Sequence, residues 1–337
     1  MNASSSKPAA SLSLDLDNQW SYMKTRGDDT WVDYPSYLDL VVPRFLQFFA
    51  ERRLTITVFV VGQDAVREEN HRALRSITDA GHEIGNHSFR HEPWLHLYTA
   101  DELAREIADA EDAIAKATGQ RPRGFRGPGF SLSRETLEVL QRRGYRYDAS
   151  TFPTFIGPLA RAYYFFTARL SQDQQEQRKE LFGGIKDGLR PLGPYRWQLG
   201  DSRAMLELPV TTMPVFRLPF HVSYLIYLAR FSPGLARLYF RLALELCRLT
   251  RTEPSLLLHP LDFLGSDDGL APLAFFPGMD VALERKLAWL DGFIADFSKR
   301  FEVLPMGRHV DAIESGGTLP TRQPQFAGDA LAVGAPS

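Results

Sequence analysis

The chain has 337 residues, of which 44% are hydrophobic and 24% are charged, and its formal net charge is -2. This composition is typical of a globular protein with a sizeable core, and so small a charge gives no basic field that recruits nucleic acid, so we expect no nucleic-acid partner. Cys247 is the only cysteine, which excludes an internal disulfide, and its apolar helical surroundings predict a buried, inert thiol.

The first segment, residues 1–10, is polar and lacks the apolar core of a signal peptide, so it predicts a disordered lead. No apolar run reaches the roughly 18 residues that a membrane-spanning helix requires. We therefore expect a cytoplasmic protein.

Strand-like and helix-like patterns then alternate along the chain. In order, they predict strand 11–17, helix 36–53, strand 54–61, helices 64–80 and 99–119, strand 124–126, helix 133–143 and strand 145–148. The helix that starts at Thr99 carries a capping-box pattern with Glu102 and ends at Gly119.

The alternation breaks between residues 152 and 250, which predicts an insertion, and it resumes with strand 255–259, helix 281–299 and strand 301–304. Residues 316–337 are rich in Gly, Ala and Pro and predict a disordered tail. We expect one domain over residues 11–315. Its pattern indicates an α/β fold with a parallel sheet, either closed into a barrel or open and doubly wound.

Two carboxylates, Asp15 and Asp17, end the first predicted strand. At a spacing of i, i+2 they point to the same face, and catalytic groups collect at the carboxyl ends of strands in α/β barrels. Two close carboxylates repel unless a cation neutralises them. Taken alone, such a pair is more often a helix N-cap beside a solvated acid.

Residues 80–91 (AGHEIGNHSFRH) place His87 and His91 four positions apart, so we expect both rings on one face of a helical turn. This spacing also occurs on many solvated helices. With a nearby carboxylate, however, two imidazoles form a three-ligand site with open positions, as in catalytic metal centres.

Three further segments carry polar groups that are weak signals separately. Residues 124–131 surround Arg126 with glycine and proline, and its guanidinium could hold a carboxylate. Asp148 ends a short predicted strand. His259 ends a buried one, where a histidine packed in the core is the more common interpretation.

Taken together and in this order, these segments resemble the polysaccharide deacetylase family (NodB homology, carbohydrate esterase 4-like) over roughly residues 11–150 and 255–305. The most specific part is the 80–91 segment, preceded by TVFVVG at 57–62. The resemblance implies a distorted (β/α) barrel, here with a helical insertion. It also implies metal-dependent removal of N-acetyl groups from amino sugars.

The resemblance also implies a role for each candidate residue. Asp17, His87 and His91 match the metal ligands, for Zn2+ first and for Co2+, Ni2+ or Mn2+ as alternatives. The catalytic groups are matched as follows: Asp15 the base, Arg126 its partner, His259 the acid, and Asp148 a supporting acidic residue.

The spacing Asp-x-Asp, with Leu16 between the carboxylates, resembles one branch of the family and leaves the sugar open: polysaccharide, oligosaccharide or lipid-linked glycan. A hydrolase of the same fold that acts on a formyl group or a non-sugar amide is the main alternative. Two others are a non-haem iron oxygenase, because two histidines and a carboxylate also form its facial triad, and a non-catalytic sugar-binding protein.

For contact with an N-acetylated sugar substrate we expect Trp20 and Trp31, in the long loop after the first strand, and Phe130, whose turn with Gly129 also offers backbone N–H groups to an oxyanion. Residues 158–170 and 218–248 contain amphipathic, aromatic-rich runs. They suit either packing on the barrel or peripheral contact with the inner face of a membrane.

Overall fold

In a computed structural model of the chain, residues 7–157, 185–200 and 204–326 are described. The strands of this part are β1 (Ala9–Leu16), β2 (Thr57–Val60), β3 (Glu83–Asn86), β4 (Gly124–Phe125), β5 (Tyr147–Asp148), β6 (Tyr195–Gln198), β7 (Ala204–Glu207), β8 (Ser255–Leu258), β9 (Glu302–Leu304) and β10 (Thr321–Arg322). Its α-helices are α1 (Gln19–Arg26), α2 (Leu38–Glu51), α3 (Gly62–Val66), α4 (His71–Asp79), α5 (Ala100–Thr118), α6 (Arg134–Arg142), α7 (Val222–Ala229), α8 (Pro233–Leu249), α9 (Leu283–Arg300) and α10 (Met306–Gly316).

The strands form one sheet in which β8, β1, β2, β3, β4, β5 and β7 lie side by side and parallel. β6 pairs antiparallel with β7, β10 pairs with β6, and β9 pairs with β1. The two ends of the parallel series meet just after β7, where the Thr211 N–H donates to the Ser255 carbonyl at 3.1 Å. The predicted α/β class with a distorted barrel is confirmed.

Local sequence patterns account for the central elements. β2 is buried at all four positions, as its β-branched and aromatic residues predict. The apolar stripe of α2 faces the core through residues such as Val41, Phe45 and Phe49. The capping box of α5 forms between Thr99 and Glu102 as predicted.

Both predicted chain ends differ from the structure. β1 begins at Ala9, inside the predicted disordered lead, because its backbone pairs with Glu302 in β9. Residues 317–326 belonged to the predicted tail, yet β10 pairs with β6 and Phe326 packs against Trp197. Pairing with distant strands orders these segments, and such partners leave no local pattern.

The predicted insertion at 152–250 contains more than helices. Its β7 is a strand of the parallel sheet, next to β5, and four residues are too few to show a clear strand period. Helices α7 and α8 follow. The segment 158–170, predicted to contact a membrane, lies outside the described residues.

Candidate active site

The carboxyl ends of β1 and β3 bring Asp17, His87 and His91 together. His91 Nε2 lies 2.9 Å from Asp17 Oδ1, and His87 Nε2 lies 3.4 Å from the same oxygen. One ligand atom from each residue lies within 4.8 Å of the other two, and all three side chains are buried. These three are the residues that the sequence indicated as metal ligands.

The donor atoms fit a bound cation. The Nδ1 atom of His87 lies 2.7 Å from the Arg126 carbonyl oxygen, which can only accept, so Nδ1 carries the proton and Nε2 presents a lone pair. Asp17 Oδ1 and His91 Nε2 are both buried, and although they lie 2.9 Å apart, neither makes a hydrogen bond with the other or with another described residue. Buried atoms of this kind are costly unless a cation satisfies them.

The segment that carries the two histidines is a loop, so the predicted helical turn was wrong. Ser88 and His91 have positive φ angles of 63° and 54°, which a helix excludes. Buried acceptors hold this loop in place. Asn86 Oδ1 accepts from the Ser88 N–H, and Glu106 Oε1 accepts from two consecutive backbone N–H groups, those of residues 89 and 90.

Charges around the three residues favour an ionised carboxylate. Burial by itself raises the pKa of Asp17, but His91 and His87 outweigh it and hold that pKa well below its usual range. Burial in turn lowers the pKa of His87, and the carboxylates of Asp15 and Asp17 overcome this and raise it. A divalent cation therefore competes with a proton for the imidazole of His87.

Asp15 is fixed by Arg126, which is fully buried. Arg126 Nη1 donates to Asp15 Oδ1 at 2.6 Å and to Ser13 Oγ at 2.9 Å, and its Nε donates to the Ala149 carbonyl. The other oxygen, Asp15 Oδ2, lies 4.0 Å from His87 Nε2. This leaves one carboxylate oxygen of Asp15 turned towards the histidines.

His259 reaches the same end of the sheet on the neighbouring strand. The register pairs Leu14 with Leu258, so His259 is level with Asp15, one strand spacing away. Ser223 Oγ donates to Asp262 Oδ1 at 2.9 Å and lies 3.1 Å from His259 Nδ1. Because the one hydroxyl proton goes to Asp262, His259 Nδ1 donates to Ser223 and leaves Nε2 available.

Asp148 takes a different position. It is fully buried opposite Glu207 in the β5–β7 register, and burial together with the Glu207 carboxyl raises the pKa of Asp148 well above its usual value. Its Oδ1 accepts from Ser150 Oγ, which in turn accepts from the Gly127 N–H. Asp148 therefore supports the loop that follows Arg126 through Ser150.

The three predicted substrate contacts fare differently. Trp20 lies in helix α1, is fully buried and donates its Nε1–H to Asp64 Oδ1 at 2.8 Å, so its predicted sugar contact was wrong. Trp31 is half-buried and lines an open groove together with Phe89. Phe130 is half-buried and stacks on an aromatic ring, and its N–H donates to a carbonyl oxygen of its own turn, so that N–H is not free for an oxyanion.

Some polar residues at the site were not recognised in the sequence. The Tyr22 hydroxyl is buried with no hydrogen-bond partner among the described residues, and burial with the nearby charge of Asp17 raises the pKa of Tyr22 well above its usual value. His221 is buried, and its ring lies 5.9 Å from that of His259. Asp262, which accepts from Ser223, is a further polar residue of the site. Of these residues it alone could have been noticed in the sequence, because it stands three residues after His259.

Comparisons with known proteins find similarities over part of the chain. The family model described as polysaccharide deacetylase matches residues 28–147, which include His87, His91 and Arg126. The peptidoglycan deacetylase of Helicobacter pylori is 28% identical over 171 residues, which are 49% of this chain and 56% of that protein. The chain thus spans about half the length of this relative. The family resemblance found in the sequence is confirmed.

Two solved structures share the fold over nearly the whole chain. A Mycobacterium smegmatis protein assigned as a polysaccharide deacetylase is 20% identical, covers 97% of each chain and has a TM-score of 0.64. An allantoinase is 15% identical, covers 93% of this chain and 92% of its own, and has a TM-score of 0.54. These likenesses show the fold alone.

Proposed function

Because the chain carries the polysaccharide deacetylase region over residues 28–147, we propose that it is a metal-dependent hydrolase that removes N-acetyl groups from an amino sugar in a polysaccharide, oligosaccharide or lipid-linked glycan. The observation that carries the proposal is that a possible metal-binding cluster and a possible base lie side by side. A three-ligand cluster of Asp17, His87 and His91 stands beside Asp15, which Arg126 holds at 2.6 Å.

The three clustered side chains would hold a divalent ion, Zn2+ first and Co2+, Ni2+ or Mn2+ as alternatives, since two imidazoles and a carboxylate suit all of them. When bound, such an ion supplies Lewis acidity, which polarises an amide carbonyl and acidifies water.

The chain's own groups supply the proton transfers. Asp15 Oδ2 accepts a proton from the attacking water, while Arg126 keeps the other oxygen engaged. The water oxygen bonds to the carbonyl carbon, the C=O electron pair moves onto the carbonyl oxygen, and when that pair returns the C–N bond breaks. His259 acts in its imidazolium form: it keeps the Nδ1 proton, which it donates to Ser223, and gives its Nε2 proton to the leaving amine, while Ser223 with Asp262 orients the ring. Acetate and a free amino sugar result.

The test is mass spectrometry of a substrate panel incubated with the metal-loaded protein. The panel contains peptidoglycan fragments, free and lipid-linked N-acetylated sugars, an N-formyl sugar and a non-sugar amide. Loss of an acetyl group from sugars, abolished by a chelator, supports the proposal. Hydrolysis confined to the formyl sugar or the non-sugar amide selects the main alternative, and no hydrolysis of any substrate favours a binding protein.

A metal measurement is independent of the substrate. His87→Ala should lose most of the bound ion because one of three protein ligands is removed. The matched control is His71→Ala, since His71 lies in α4 and contacts the Ala65 carbonyl. Elemental analysis that finds full metal occupancy in His87→Ala would contradict the ligand assignment.

A further inference from the structure

Helix α8 packs against the barrel with only one of its faces. Its buried residues are Ala236, Phe240, Ala243, Leu244 and Cys247. Its exposed leucines are Leu235 (60% exposed), Leu238 (65%), Leu242 (50%) and Leu249 (79%). At 3.6 residues per turn these four leucines fall in one sector of about 60°, opposite the buried face. At least half of each of these leucines is exposed, so the stripe adds little to the core.

The stripe continues into the turn between α7 and α8. Phe231 is 73% exposed, and its ring contacts that of Tyr227 at 5.4 Å. Two other aromatic residues of the 218–248 run lie elsewhere, since Phe220 is fully buried and Tyr224 is half-buried. We define the α8 face as Phe231 with the four exposed leucines.

A row of arginines runs along one flank of this face. Arg237, Arg241 and Arg248 are spaced by four and seven residues, so they lie on one side of α8. Arg237 and Arg241 share a single carboxylate, that of Asp296, at 2.6 and 2.9 Å. One carboxylate leaves part of their positive charge uncompensated.

The surroundings of the row are also basic. The ion pairs around the α8 face join five arginines to three carboxylates: Arg230, Arg237, Arg241, Arg248 and Arg300 to Asp280, Glu245 and Asp296. Residues 208–252 hold six arginines and one glutamate, whereas the whole chain has a net charge of -2. Positive charge is therefore concentrated around the exposed leucines.

We propose that the α8 face docks on the surface of an anionic lipid bilayer, with α8 lying in the plane of the interface. Leucine and phenylalanine side chains enter the acyl boundary, and the arginine row reaches lipid phosphates at its edge. The proposed contact is peripheral. No helix in residues 7–157, 185–200 and 204–326 has the length and apolar character to cross a bilayer.

The positive charge around the α8 face favours an anionic lipid surface over a second copy of the chain as the binding partner. A dimer formed through the α8 face would bring together two surfaces with the same positive excess, whereas anionic headgroups neutralise it.

The proposed membrane contact also lies close to the candidate active site. Ser223, which contacts His259, and Phe231 stand eight residues apart along α7 and its end, about 12 Å at helical rise.

The experiment is co-sedimentation of the full, metal-loaded chain with vesicles of equal parts phosphatidylglycerol and phosphatidylcholine, and with phosphatidylcholine vesicles alone. We expect binding to the anionic vesicles that weakens with salt, and weaker binding to the neutral ones. Leu238→Glu with Leu242→Glu should lower the partition at least about tenfold, because two inserted leucines become charged.

The matched control is Val32→Glu with Leu97→Glu, which adds the same charge at exposed apolar residues away from α8. The control should bind as the wild type does, and thermal melting should show both variants folded. Vesicle binding is measured without substrate, so it stands or falls apart from the proposed activity. The proposal is overturned if the wild type does not sediment with the vesicles, or if the α8 variant binds them equally well. It is also overturned if the wild type forms a dimer in the absence of vesicles and the α8 variant is a monomer.

Discussion

Two carboxyl pairs lie buried at the same end of the sheet, and their surroundings differ. Asp15 and Asp17 end β1 beside a guanidinium and two imidazoles, and the pKa of Asp17 is held low despite its burial. Asp148 and Glu207 face each other across β5 and β7, where neutral donors such as Ser150 contact them, and the pKa of Asp148 is raised.

The difference shows that strand position alone does not decide the protonation of a carboxyl group. All four side chains are buried. A cationic partner offsets the cost of desolvation in the first pair, and a second carboxyl adds to that cost in the other. The first pair is therefore suited to bind a cation, whereas the raised pKa of Asp148 favours its neutral form in the second pair, which supports structure.

The largest expected effect is a difference in catalytic activity between variants of the two carboxyl pairs. Asp15→Asn should lower the deacetylation rate by about 10²–10⁴-fold, the contribution of a general base, while the metal content stays unchanged. Asp148→Asn should lower it by at most about tenfold, because an amide oxygen can still accept from Ser150. Acetate release and elemental analysis check both, and equal losses in the two variants would remove the distinction.

The next effect tests the charge compensation of Asp15. Arg126→Met should reduce the free energy of unfolding by about 3–5 kcal/mol, because it leaves a buried carboxylate without its partner. Adding Asp15→Asn to Arg126→Met should restore part of that loss. Denaturant unfolding measures both. A double variant no more stable than Arg126→Met would mean that the pair is not coupled.

A smaller effect concerns pH and Asp148. Since its folded-state pKa is raised above the usual 3.8, the folded chain retains a proton that the unfolded chain releases. Stability from this group is thus full below about pH 4 and falls as pH rises towards the raised pKa, by at most about 1.4 kcal/mol per pH unit. Relative to the wild type, Asp148→Asn should gain stability as pH rises. A constant difference from pH 4 to 8 would contradict the raised pKa.

The smallest effect tests whether Asp148 and Glu207 interact. Each of Asp148→Asn and Glu207→Gln removes the repulsion, so the double variant should gain less at pH 8 than the two single gains added together. The comparison uses thermal or denaturant unfolding at pH 8, with Asp29→Asn, at an exposed position, as the control. Strict additivity would show two independent groups.

Much of the fold followed from local patterns. Apolar spacing predicted α2, a buried β-branched run predicted β2, and residues 99–102 predicted the start of α5. The type and order of the candidate ligands were also visible. These features depend on neighbours within a few residues, so the sequence contains the information needed to predict them.

Contacts between distant segments were decided only in the tertiary structure. The loop conformation of residues 87–91 depends on Glu106, and the partner of Asp148 comes from β7, a strand that was not predicted. Trp20 turned out to be buried because Asp64, 44 residues away, accepts its N–H. A partner that is distant in the sequence and close only in the folded chain produces no periodic pattern in the sequence.

The candidate active site and the α8 face show which properties follow from the sequence and which follow from the fold. Sequence alone determined which residues can bind a cation or enter an interface, because side-chain chemistry is fixed by residue type. The resemblance had matched Arg126 to Asp15, but only the fold decided that Trp20 meets Asp64 across 44 positions, and that Leu238 faces outward while Phe240 faces the core. The reason is physical: burial and charge pairing depend on which elements pack together, and packing is a property of the whole chain.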